Sequence, residues 1–239
     1  MTTYIYAVVH AGHPVTVEGS TGVGAPPAAL REVRSDDLVA VVSDAPEGLR
    51  AKRRDLEAHQ RVVESVASAG TALPMRFGTV APDDEAVRTA LADHAERYRE
   101  LLGTVDGAAE FNLKAADREE AMLRELLIRD PDLRELNEAL RARGGGSHDD
   151  RLAFGGRVAA AVDTWRSANA ERILAELRPH AVRTRVGPAV DGCAANISFL
   201  VATNARDGFE ESVRRLRGDL SAHTELAVYG PLPPYSFVD

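Results

Sequence analysis

Cysteine, lysine, aromatic residues and long apolar runs are all scarce in this chain of 239 residues, and each scarcity closes off a class of function. Cys193 stands alone, so neither an intrachain disulfide nor a cysteine-built metal cluster can form. A reducing, cytoplasmic setting is the expectation. No apolar run reaches the roughly eighteen residues that a membrane-spanning helix needs, so no membrane partner is expected. The first ten residues, MTTYIYAVVH, lack a basic segment and a small-residue cleavage site. They are expected to form a strand, not a signal peptide. Lys52 and Lys114 are the only lysines, and the net charge of -8 opposes general attraction to nucleic-acid phosphates. Aromatic residues make up 5% of the chain, and no basic-aromatic strand motif of the RNA-recognition type is present. Nucleic acid is therefore excluded as a partner.

What remains is a globular composition, 44% hydrophobic and 28% charged, long enough for one large domain or two small ones. The patterning predicts an α+β protein of two small domains. Residues 1–116 read as strand (TYIYAVVH), Gly/Pro loop, hairpin, helix with His59 on its apolar face, short extended piece (LPMRFG), second helix, and strand (GAAEFNLKAA). That order suits a modified ferredoxin-like sandwich with helices on one face of an antiparallel sheet. Residues 117–150 read as a mixed-charge helical connector ending in Gly144-Gly145-Gly146, a flexible linker and domain boundary. Residues 151–228 read as α-β-β-α-β, a ferredoxin-like unit lacking its first strand. In its long first helix Val158, Val162, Trp165, Asn169 and Ile173 recur at helical spacing and predict a buried stripe. Residues 229–239 form an extended tail.

Few residues suggest chemistry. Gly19, Gly22 and Gly24 superficially resemble a phosphate cradle, but Pro26-Pro27 follow where a helix N-terminus is required, which favours a mobile loop. The seven histidines make no metal-ligand spacing, and no cofactor motif is present. In LPMRFG, an extended backbone would point Met75 and Phe77 one way and Arg76 the other. Arg76 could then reach His59 or Glu110. These three residues are expected to form a structural polar lock; a small-molecule enzyme site would need the same three lining an accessible cleft. Asn196-Ile197-Ser198 matches a glycosylation acceptor by chance, inside a predicted strand.

The tail, YGPLPPYSFVD, is stiff and apolar where chains usually fray. Pro231, Pro233 and Pro234 hold it extended, and Tyr235 and Phe237 are candidate anchors for docking on its own fold or on another chain. TYIYAVV, HQRVVESV, LPMRFGTV and YGPLPPYSFV stand in this order from Tyr4 to Val238, and together they resemble the gas vesicle protein L/F family. The resemblance implies a minor structural or assembly protein of gas vesicles, without enzyme activity. It would bind gas vesicle protein A (GvpA), the small hydrophobic shell subunit, and limit its aggregation during nucleation. Other gas vesicle accessory proteins are further implied partners. The alternatives are the enzyme with a His59/Arg76/Glu110 site and a generic cytosolic scaffold binding through residues 117–143.

Overall fold

A computed structural model describes residues 1–188, 190 and 193–238. Two compact units are present: Met1–Glu110 with Gly230–Asp239, and Phe111–Tyr229. The first unit is therefore completed by residues that follow the whole of the second.

In the first unit, β1 (Thr3–His10) lies between β3 (Leu38–Asp44) and β4 (Ala72–Pro74), with β2 (Arg31–Ser35) beyond β3 and β5 (Val80–Ala81) also paired to β1. All these pairings are antiparallel. The order β2-β3-β1-β4 is that of a ferredoxin-like sheet, in which a helix would carry the chain from β1 to β2. Here residues 11–30 make that crossover as a structured loop. Val23 is buried in it, and Val15, Val17 and Leu30 pack beside the same core as α1 (Arg53–Ala69). A bridge between Thr21 and Ala29 braces the loop, so the mobile loop expected from its glycines is an ordered piece of the fold.

Strand β3 is buried at six consecutive positions, and successive strand residues face opposite sides, so both faces of the sheet are covered. Helix α1 packs on the face of Val39 and Val41. On the other face, Thr3 Oγ1 donates to Asp84 at 2.6 Å, anchoring α2 (Asp84–Asp93) there. Arg31 holds the same carboxylate through Nε at 2.9 Å and Nη2 at 2.8 Å, which keeps the Asp84 carboxyl down at about 2. The sequence predicted helices on one face only. The difference arises because a Val/Ala-rich strand buried on both sides carries no alternation to read. The predicted second helix also breaks at His94, giving α2 and α3 (Ala95–Val105).

The second unit has the sheet order β7-β8-β6-β9, from β6 (Ala108–Asp117), β7 (Arg183–Val186), β8 (Cys193–Ala202) and β9 (Thr224–Leu232). Counting β6 as the first strand, this is again the ferredoxin-like order. Strand β6 supplies the strand that appeared to be missing; its apolar alternation gave no sign of which sheet it joins. Helices α6 (His148–Leu177) and α7 (Arg206–Leu220) are the two crossovers. Phe209 of α7 meets Phe111 and Phe199 with ring centroids 5.2 and 5.5 Å apart.

The charged segment folds into α4 (Glu119–Arg129) and α5 (Pro131–Ala142), which belong to this unit. Met122, Leu126 and Leu133 pack with Phe154, Val158, Val162 and Trp165, so the first part of the α6 stripe is covered by these two helices. The glycine run is a built reversal between α5 and α6. Gly144, Gly145 and Gly146 all take positive φ, at 67, 99 and 67°. The Gly145 amide donates to Leu140 O at 2.8 Å, and Ser147 with Asp150 then caps α6 by a reciprocal capping box.

A flexible linker would tolerate Gly146→Ala. In the ordered turn the same change places a left-handed residue, costing about 1–2 kcal/mol, and its Cβ would lie 2.7 Å from Leu140. Thermal denaturation of G146A is expected to show that loss.

Candidate docking site

Two tyrosines on one strand build the centre of the first unit. Tyr4 and Tyr6 are both fully buried and face α1. The register of β1 against β3 slips between Ile5 and Ala7, a bulge that sends Tyr6 and Ala7 to the same side. Each phenol then needs polar partners, because a buried hydroxyl left unpaired is costly. Tyr6 Oη accepts the Val23 amide at 2.8 Å and lies 2.9 Å from Ser43 Oγ. Tyr4 Oη accepts the Gly78 amide at 3.1 Å and lies 2.9 Å from His59 Nδ1.

The approach of Tyr6 to the crossover loop explains one of its glycines. A Cβ on Gly22 would sit 1.9 Å from the Tyr6 hydroxyl. Gly24, at φ +116°, turns its amide towards Asp55 Oδ1 at 3.0 Å. The glycine loop therefore does present an amide to an anion, but the anion is the protein's own buried carboxylate. That amide and the neighbouring Arg54 guanidinium hold the Asp55 carboxyl below its ordinary range.

His59 is 5% exposed. Its ring stacks near Tyr6 at 5.6 Å and meets Tyr4 and Phe77 edge-on, each at 5.7 Å. Its Nε2 lies 3.3 Å from Tyr235 Oη, which comes from the tail. Burial pulls the His59 pKa below its usual 6.5, against the opposing pull of the Met75 carbonyl. Burial likewise pushes the Tyr235 phenol up to about 12.

LPMRFG sits on the outer edge of β1. The Met75 amide donates to Tyr6 O at 2.8 Å, and the Ile5 amide to Thr79 O at 3.0 Å. Phe77 turns inward to the aromatic cluster, while Arg76 is exposed. Two residues of the expected polar lock meet the tail. His59 and Glu110 are joined to the unit through the tail: Glu110, 4% exposed, receives the Ser236 amide at 2.8 Å and the Ser236 hydroxyl at 2.6 Å. Ser236 carries the lock, and sequence reasoning missed it because a lone serine between two aromatic residues has no distinguishing pattern.

In the tail, Pro231 is exposed, Pro233 half-buried, and Pro234 and Phe237 buried; Tyr235 packs on the tyrosine cluster. The residues Tyr235–Phe237 form one tight turn, with the Phe237 amide donating to Pro234 O at 3.0 Å. Its docking partner in this structure is its own first unit. His59 and Glu110 are buried beneath the tail, while Arg76 is exposed. Asn196 lies within β8, its side chain bonded to Asn112 and Pro188. Among the described residues no group of histidine, cysteine, aspartate and glutamate side chains could hold a metal ion, and no helix is long and apolar enough to cross a membrane.

The family model for the gas vesicle synthesis protein GvpL/GvpF matches residues 2–239. This chain belongs to the GvpL/GvpF family. It is similar to gas vesicle protein F of Streptomyces sp. (strain CB03234), with 45% identity over 239 residues and the full length of both chains. It is 31% identical to gas vesicle protein L of the same strain, over 98% of this chain and 91% of that one. The crystal structure of GvpF from Anabaena sp. PCC7120 superposes with a TM-score of 0.84 at 22% identity, covering 100% of this chain and 98% of that one. GvpF from Microcystis aeruginosa gives 0.78 at 21% identity, covering 100% and 99%. These two likenesses establish the fold, and the family makes the chain a gas vesicle protein.

Two outcomes follow for the socket. The unfolded chain protonates His59 before the folded one does, so its contribution to stability is complete above about pH 6.5 and declines as pH falls below that value. The slope is at most one proton, about 1.4 kcal/mol per pH unit. His59→Gln should flatten that part of a melting-temperature profile. Gly22→Ala should lower stability by about 1–3 kcal/mol through overpacking against Tyr6, visible as a lower melting temperature.

Proposed function

We propose that this chain is a minor structural or assembly component of gas vesicles, of the F type, which binds the small hydrophobic shell protein GvpA in the cytoplasm and limits its aggregation during nucleation. The observation that carries the reading is the match to gas vesicle protein F at 45% identity from end to end, against 31% to the L protein of the same strain. The physical properties of the molecule suit it. A shell subunit exposes apolar surface before it assembles, and such surface aggregates unless something covers it. A covering protein needs free sheet edges or apolar surface together with solubility of its own. Strand β7 ends its sheet in the order, its residues are largely exposed, and Val182 just before it and Val186 at its end are 56% and 67% exposed. The charge of -8 supports solubility while such a surface is presented.

A catalytic role for His59, Arg76 and Glu110 is disfavoured by the burial of His59 and Glu110. A scaffold role for residues 117–143 as a free charged helix pair is disfavoured by their packing on α6.

Light scattering of freshly diluted shell protein is the direct test. An equimolar amount of this chain should suppress the rise in scattering and co-elute with the shell protein on gel filtration. Unchanged scattering together with separate elution would sink the proposal.

A further inference from the structure

The first unit is a peptide socket as well as a domain, and its present occupant is covalently attached only by way of the second unit. Without residues 230–239, the Glu110 carboxylate loses both Ser236 donors and His59 loses Tyr235. Both side chains are more than nine-tenths buried with the tail in place. Its departure would exchange their tail partners for water and uncover the apolar surface beneath Tyr235, so the socket favours an occupant that restores both. The recognition is compact and local. One backbone amide and one hydroxyl of Ser236 satisfy Glu110, and the aromatic side chains on either side of it fill apolar space, Phe237 to 7% exposure. All of this lies within three consecutive residues, in a single turn stiffened by Pro233 and Pro234. An element so short, so pre-shaped and so far along the chain from the rest of its unit can be exchanged as a piece.

We propose that the tail is exchangeable between copies: residues 230–239 of a second copy of this chain enter the socket of the first, on the same Glu110, His59 and Tyr4/Tyr6 contacts, and give domain-swapped assemblies. This goes beyond the shell-binding reading and does not depend on it, because no shell protein takes part. Intramolecular docking wins in dilute solution, where the attached tail has the higher effective concentration. Exchange dominates where copies are concentrated.

Complementation between two full-length variants tests the proposal. One variant carries Ser236→Ala and Phe237→Ala, leaving a sound socket with a defective tail. The other carries Glu110→Ala, leaving a sound tail with a defective socket. Each alone should be monomeric and melt below wild type. Mixed at high concentration they should form a one-to-one heterodimer, seen by light scattering on gel filtration, with one melting transition restored towards wild type. Two folded variants that stay monomeric when mixed would overturn the proposal. Should either variant fail to fold, wild-type chain carrying a protease site between Pro231 and Pro233 replaces it, cut after folding. A labelled peptide of residues 230–239 should then displace the cut tail, and should bind intact wild type about tenfold more weakly or worse, because the attached tail competes. A peptide with alanine at 236 and 237 should not bind. Absence of displacement, or equal binding of the two peptides, would also overturn the proposal.

Discussion

A carboxylate and an imidazole that are shut away from water must find their partners inside the protein. In the first unit those partners arrive on a segment that the chain reaches only after building another domain. Glu110 and His59 are the groups concerned, and Ser236 and Tyr235 are what they find. The rest of the unit is arranged around that requirement. Strand alternation puts two phenols beside His59, the bulge in β1 adds Ala7 to the same side, the crossover loop covers Tyr6, and LPMRFG supplies Phe77 and the Gly78 amide. A helix between β1 and β2, as an ordinary ferredoxin-like sheet would have, is replaced by residues 11–30, whose amides reach Tyr6 and Asp55.

The two units share one strand order but differ in what covers the sheets. The second keeps both crossover helices and closes around phenylalanines, Phe111, Phe199 and Phe209. The first gives up one helix and closes around a polar aromatic cluster. Polar centres of this kind are more demanding than apolar ones, since each hydroxyl and ring nitrogen must be matched. That demand gives LPMRFG and YSF their particular spelling, where an apolar core would accept many sequences of similar volume.

Local features were legible in the sequence. The strand TYIYAVVH, the hairpin around Ser35–Asp37, the helix carrying His59 and the stripe from Val158 to Ile173 all follow from period and turn chemistry, which are properties of neighbours in the chain. What could not be read is non-local. GAAEFNLKAA alternates correctly for a strand, yet alternation says nothing about which sheet receives it. Three glycines fit a flexible linker and an ordered left-handed turn equally well until Leu140 and the capping residues Ser147 and Asp150 are placed around them. Arg76, charged and set in an unusual motif, drew attention away from Ser236, whose two short hydrogen bonds depend on a partner 126 residues away. The resemblance carried by the motifs fixed the family where the residue patterns alone would have stopped at an α+β protein.

The order of synthesis gives the returning tail one more consequence. Residues 1–110 leave the ribosome before the second unit, and residues 230–239 emerge after both. The first unit is therefore begun before the second and finished after it. Until then Glu110 lacks Ser236 and His59 lacks Tyr235, so the first unit waits with an unfilled groove while the second is being made.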